Sequence, residues 1–573
     1  MTPDRPSREV TDTTVPVSFR SFLDEPRRPA RATARVVLRV VAHLVAEVPI
    51  IVVAALQISK GWLPTSDDAV IAWRSWSVFS GPVPLDGQFT QISTGGGHTS
   101  FDLGPLQYFL LAIPVHIDPL HGLLWGSVVV IAVLAAVAIE AAWAAGGQIA
   151  GALTALGLAI MTGTLIQSTV NLAWNPSIGV YAFAATLTGA LAVARGRFGW
   201  LPVAVGTASL AAQCHMSFVV PVAGALATGI LLGVAELKRF PLWPLGVAVG
   251  VGVACFLAPL VQQLTGHPGN WSALASNLDH EGRALGIRVG LRGIAAATSL
   301  PPSWWVHVPI ISTVSRYQSF ESLIYDHSSS WGLTSLCLCG AIAISAWFAD
   351  RRGLAALAAI ATVAGFAVAW TLGSVAIQQA AYLDYYLYFP LWPVGMAILA
   401  TYAIAIWSVI AGVVERARHS AAPADETSRR RDRRIPAWVT GLVAVVLAVS
   451  GTELGLLERP LASSPLSLLG WTPIQFAHRV LPNATAVVAA ESNSGSLRPF
   501  AVEMVGGVAI LHGAIDQSVA YLLTTEGYPA RVAGTADTAL GPAYLAPAQG
   551  AVLELSLGPH GTAVARWHPA GTR

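Results

Sequence analysis

The chain has 573 residues, of which 54% are hydrophobic and only 11% charged, with a mean hydropathy of +0.59. Soluble proteins carry about 25% charge, so this chain cannot cover its surface in water and most of that surface must face lipid. A net charge of +2, without a basic face, argues against a nucleic-acid binder.

Residues 1–35 are polar, rich in Pro and Arg, and lack an apolar centre. They read as a disordered cytoplasmic tail, not a cleaved signal peptide. Apolar runs near the roughly 20 residues needed to cross a bilayer follow at 36–57, 121–143, 149–168, 174–194, 200–215, 217–234, 241–263, 332–349, 353–373, 387–411 and 436–455. The expected fold is therefore an α-helical polytopic membrane protein of about eleven spans, 36–455. The pair 200–215 and 217–234 is too long for one span and short for two.

Orientation comes from basic residues, which favour the cytoplasmic side. Arg27, Arg28, Arg31 and Arg35 lie in the tail, Arg195 and Arg197 after the fourth run, and Lys238 and Arg239 after the sixth. Arg351 and Arg352, and then Arg416, Arg418 and Arg429 to Arg434, complete the set. Eleven spans put every cluster on one side and leave 58–120, 264–331 and 456–573 outside. Within the first outer loop, GPLQYFLLAIPV (104–115) is apolar but too short to span, and it reads as a helix against the outer interface. Trp62, Trp73 and Trp76 suit the headgroup level.

Cys214, Cys255, Cys337 and Cys339 sit in or beside apolar runs and carry no metal or redox spacing. Region 456–573 has no cysteine, so no disulfide is expected there. Its runs at 485–490, 507–513, 551–557 and 562–567 are short and β-prone, which predicts a small extracytoplasmic α/β or mainly β domain.

The sharpest chemical feature is SDDAV (66–70). A carboxylate near membrane depth is costly unless it faces a polar space, and two adjacent ones repel, which leaves a usable base. Asp67 and Asp68 therefore read as catalytic. Ser66 or Asp67 also reads as the N-cap of a helix over 69–79, and both readings stay open on chemistry alone.

The order of features resembles the GT-C superfamily of membrane glycosyltransferases. One span, an acidic pair and a loop with a Pro-Leu-aromatic helix follow one another, as in lipid A aminoarabinose transferase and protein O-mannosyltransferase-like enzymes. In those an Asp-Glu pair opens the first outer loop and its Asp is the base, a role that falls on Asp67, with Asp68 in place of the Glu. GPLQYFLLAIP (104–114), NLAWNPSIGVYAF (171–183), AAQCHMSF (211–218) and YLDYYLYFPLWP (382–393) are similar to further family segments in the same order. The resemblance covers roughly residues 36–411. It implies a polyprenyl-phosphate sugar donor and a glycan, glycolipid or protein acceptor on the outer face, with membrane lipids around it. The family's Lys or His before the Pro-Leu helix corresponds to His98, joined here by Asp102. The Arg of the late-span motif is replaced around Asp384, beside Tyr385.

The long outer loop offers cations for a phosphate, since Arg makes bidentate contacts. Arg316 with Tyr317 comes first, and His327 follows; solvent-facing loop residues are the other reading. His215 and Asn175, near the outer face, complete the donor or substrate set, with a hydrogen-bonded helix residue as the plainer role for His215. A divalent ion on the Asp pair is chemically feasible, but metal-free catalysis is expected and no cofactor is required. A transporter, or a non-catalytic envelope scaffold with the same shell, are the rival readings. Charges in midspan are few, Glu47 being the main one, and no internal repeat stands out. The scarcity of lysine against abundant Ala, Arg and Gly points to a GC-rich bacterial genome, hence a cell-envelope product and the bacterial plasma membrane.

Overall fold

A computed structural model describes residues 29–90, 98–169, 172–235, 242–279, 282–300, 302–303, 326–376, 385–421, 473–493, 497–505, 509–533, 544–547, 549–557 and 562–572. Apolar helices dominate. They are α1 (Pro29–Ser59), α2 (Asp67–Ser80), α3 (Leu106–Ile117), α4 (Gly122–Thr169), α5 (Asn175–Ala194), α6 (Leu201–Cys214), α7 (Val219–Ala235) and α8 (Leu242–Thr265). There follow α9 (Asn270–Asp279), α10 (Ile287–Thr298), α11 (Ser329–Phe348), α12 (Arg352–Gly373) and α13 (Leu391–Ala421).

Eight helices among the described residues are long and apolar enough to cross a membrane, which makes this a multi-pass membrane protein. That count is not the expected eleven, and the difference has three sources. The runs 121–143 and 149–168 are two helices, taken together as α4 and counted once among the eight, that part at Gly147, whose φ of 72° and ψ of −158° are not helical. A Cβ at Gly147 would touch nothing, so the glycine is needed for its dihedral and not for space. The run 200–215 forms α6, whose 14 residues reach about 21 Å at 1.5 Å per residue, short of the ~30 Å core. The run 436–455 lies outside the described residues, as do residues 1–28 of the expected tail.

Helix α5 is the centre of the bundle. Of its spanning window 89% is inside the protein, against 11% for α8. It packs on α4, α6, α7, α12 and α13, and its small residues allow the approach, since a Cβ on Gly179 would meet the Phe218 ring at 2.6 Å. Between α1 and α4 a polar cluster replaces apolar packing. His43 bridges Glu47 and Glu140 at 2.9 Å each, and Arg39 pairs with Glu140. Glu47, the main midspan charge of the sequence, is thus partnered rather than facing lipid alone.

Between α2 and α3 a short antiparallel hairpin joins 87–90 to 98–102, with Phe89 opposite Phe101. Asn270 of α9 serves it as an extra strand neighbour. Its Oδ1 accepts from Phe101 N at 2.8 Å and its Nδ2 donates to Phe101 O at 2.9 Å. Asn277 donates to His98 O and to Ser100 Oγ. The regions 58–120 and 264–331, both expected outside, therefore meet at one end of the bundle.

The C-terminal unit is α/β. Helices α14 (Pro473–Asn493) and α15 (Ala509–Thr525) cover strands β1 (Phe500–Val505), β2 (Ala530–Val532), β3 (Val552–Leu557) and β4 (Ala563–His568). The sheet order is β2-β1-β3-β4, with β1 parallel to both neighbours and β4 antiparallel to β3. The runs at 551–557 and 562–567 form strands as expected. The runs at 485–490 and 507–513 do not. Residues 485–490 continue α14, because Phe476, Val480, Ala484 and Val488 recur every four residues and are all buried. From Ala509 onward the second run belongs to α15.

The C-terminal unit docks on the region 58–120. His478 Nε2 lies 2.7 Å from Gly61 O, Tyr521 Oη donates to Pro119 O at 2.9 Å, and Tyr544 meets Trp73 edge-on at 5.3 Å. All three regions expected outside thus share one end.

Candidate functional site

Helix α2 begins at Asp67, directly after Ser66, whose φ of 55° and ψ of −132° lie outside the regions open to ordinary residues. Such a residue costs of order 1–3 kcal/mol and persists where its surroundings enforce it. The Ser66 side chain makes no capping bond; the first-turn amides of Asp68 and Ala69 use the carbonyls of Thr65 and Ser66. Both carboxylates lie in the first turn, where the helix dipole favours negative charge. Asp67 is partly exposed and Asp68 is buried.

Trp174 fixes Asp67. This residue caps the N-terminus of α5, where Asn175 and Pro176 open the helix. Its indole Nε1 donates to Asp67 Oδ2 at 2.9 Å. The indole meets Tyr386 edge-on, centroids 4.9 Å apart, and Tyr386 in turn meets the His215 ring at 5.0 Å. His215 ends α6 in extended backbone. Its Nδ1 accepts from Ser217 N at 3.2 Å and lies 2.8 Å from Ser217 Oγ. An acceptor Nδ1 places the proton of the neutral ring on Nε2.

The second carboxyl of the cluster is Asp102, on the hairpin. Asn175 Nδ2 donates to Cys214 O at 2.6 Å and approaches Asp102 Oδ2 at 3.4 Å, while Met216 N donates to Asp102 Oδ1 at 3.2 Å. Asp102 is 2% exposed. Burial raises its pKa well above the usual carboxylate range, and the Met216 N–H offsets only part of this. One carboxylate at a helix N-terminus and one buried carboxyl leaning to its neutral form is the pattern that separates a base from an acid.

Side-chain amides hold the surrounding backbone. Gln107 Nε2 donates to Ala173 O at 3.2 Å, Gln213 Oε1 accepts from Leu106 N at 3.2 Å, and Gln213 Nε2 donates to Cys255 O at 2.8 Å. Gly104 must be glycine here, because a Cβ would lie 2.3 Å from Gln213 Oε1 and 2.5 Å from Pro259.

Asp67, Asp102, Asn175 and His215 thus converge where the ends of α2, α5, α6 and α13 meet. Tyr385 opens the turn Tyr385–Tyr388, whose Tyr386 ring belongs to the cluster. His98 is exposed on the hairpin, held through its carbonyl. His327 is half-buried just before α11. Arg316 and Tyr317, with Asp384, lie outside the described residues. Among the described residues no three His, Cys, Asp or Glu side chains are grouped to hold a metal ion. Sequence reasoning missed Trp174, Tyr386, Gln107 and Gln213. The signal for the first two was present, because each adjoins a residue already singled out.

No family model matches the chain, and no curated protein does. Among solved structures it is similar to the archaeal oligosaccharyltransferase AglB from Archaeoglobus fulgidus, solved with an inhibitory peptide and a dolichol-phosphate. The identity is 10% and the TM-score 0.33, over 83% of this chain and 62% of that one, so the chain spans under two thirds of AglB. At that level the likeness assigns neither activity nor ligand to this chain.

Proposed function

We infer that the chain is a membrane glycosyltransferase of the GT-C kind, moving a sugar from a polyprenyl-phosphate donor to a cell-envelope acceptor on the outer face of a bacterial plasma membrane. The observation that carries this reading is the partly exposed Asp67 carboxylate, oriented by the Trp174 indole at the end of the bundle where the outer loops meet. Asp67 takes the proton of an acceptor hydroxyl as its oxygen bonds to the anomeric carbon. The bond from that carbon to the donor phosphate oxygen breaks on the opposite side, so configuration inverts. The phosphate leaves with its charge met by cations of the outer loops, for which His98, His327 and Arg316 are the candidates. Asp68, beneath Asp67, keeps the first turn anionic. An indole N–H aimed at Oδ2 competes with a cation for the same oxygen, which favours the metal-free course.

The test is transfer by the purified chain in nanodiscs, with a polyprenyl-phosphate sugar as donor. Asp67→Asn keeps the volume and the indole contact, and should lower kcat by about 10²–10⁴-fold with donor binding intact. Full activity in this variant sinks the mechanism. Donor binding without transfer by the unaltered protein favours the scaffold reading instead. A chelator is expected to leave the rate within about twofold; loss beyond tenfold, restored by a divalent ion, would reverse the metal-free assignment.

A further inference from the structure

Arg74 lies seven residues after Asp67 in α2, two helical turns along the same face. It is buried, at 4% exposure, and the two terminal nitrogens of its guanidinium form a fork, while Nε is buried without a hydrogen-bond partner among the described residues. One arm donates to the carbonyl of Gly87 and the other to the carboxylate of Asp86. The Phe101 and Tyr108 rings flank it at 5.4 and 5.1 Å. Burial works against its charge, but Asp86, Tyr108 and Tyr544 together outweigh this, so its pKa sits above the usual arginine range.

From the fork to Asp102 is one peptide unit. Gly87 N donates to Asp102 O at 3.0 Å, and Asp102 N donates to Gln88 O at 2.7 Å. The approach is close enough that a Cβ on Gly87 would lie 2.7 Å from Asp102 Cβ and 2.9 Å from its carbonyl oxygen. From the other side Tyr544 of the C-terminal unit packs on Trp73, the neighbour of Arg74, and closes the arginine from outside.

We propose that Arg74 is a positioning residue. It ties the strand of Asp102 to the helix that begins with Asp67, and so sets the spacing between the two carboxyl groups of the site. The mechanical coupling stands on the geometry alone, whereas its effect on turnover rests on the glycosyltransferase reading. Lysine keeps the charge but loses the fork, because a point charge cannot serve a carbonyl and a carboxylate in fixed directions. A core residue that only stabilises the fold would not single out the hairpin.

The test pairs hydrogen exchange with transfer kinetics on the full chain in nanodiscs. In Arg74→Lys, exchange at the amides of Gly87, Thr90 and Asp102 should quicken at least about tenfold, while amides within α2 keep their protection. With transfer measured, kcat should fall about 10- to 100-fold and the KM for a polyprenyl-phosphate sugar stay within about twofold, the pattern of a misplaced group. Gly87→Ala should loosen the same amides with the Arg74–Asp86 pair intact. It decides the matter where Arg74→Lys fails to fold. Unchanged hairpin exchange in the folded variants overturns the proposal, and so does faster exchange with unchanged kcat. Quickened exchange in a protein that shows no transfer at all overturns the transferase reading and leaves the coupling standing.

Discussion

The Asp67–Trp174 bond and the burial of Asp102 give opposite handles on the same site. Trp174→Phe keeps an aromatic ring against Tyr386 and removes the indole N–H that holds Asp67 Oδ2. It should lower kcat about tenfold or more while costing stability only about 1 kcal/mol, as read from melting in detergent. Asp102 makes stability depend on pH. Its native pKa is raised, so the native chain binds more protons than the unfolded one above the ordinary carboxylate pKa of about 3.9. Stability is therefore greatest below that value and declines as pH rises, until native Asp102 itself ionises. Asp102→Asn should flatten this slope; an unaltered slope would assign it to other groups. At this scale the sequence was legible where a polar residue interrupts an apolar context near an outer end, as at Asp67, Asp102, Asn175 and His215. Arg74 was not legible. Within AWRSWSVF it reads as the polar stripe of an interfacial helix, and only the tertiary fold turns that stripe inward.

Elements were legible where length alone decides, as in α1, α8 and α12, whose runs matched helices of spanning length. The two apolar runs of α4 read as separate helices, and they part at Gly147. Gly147→Ala forces a side chain into positive φ with no clash to add, so it should cost about 1–2 kcal/mol. A melting temperature equal to that of the parent would show that the break is not held there. The strand reading of 485–490 failed. A short Val-Ala run satisfies both periods, and the four-residue recurrence emerges only when Phe476 and Val480 are counted with it.

For the whole molecule, the arginine pattern assigned three regions to one side, and the fold brings them to one end through Asn270, His478 and Tyr521. Which side of the membrane this end faces is open to direct measurement. Cysteines introduced at the exposed positions His98 and Glu526 should react with an impermeant maleimide on intact cells. Cysteines at Arg197 and Arg351 should react only after permeabilisation, and the reverse result would invert the orientation.

The docking of the C-terminal unit on the region 58–120 also fixes an order of events in the cell. The contacts of His478 with Gly61 and of Tyr521 with Pro119 join residues 417 and 402 positions apart. A ribosome adding about 5–20 residues per second takes roughly 20 to 80 s to cover that distance. Throughout that interval the segment bearing Asp67 and Arg74 exists without the contacts that His478, Tyr521 and Tyr544 later make to it. Completion of this end of the molecule is thus a late step of biogenesis, reached only when the C-terminal unit has been made and has folded.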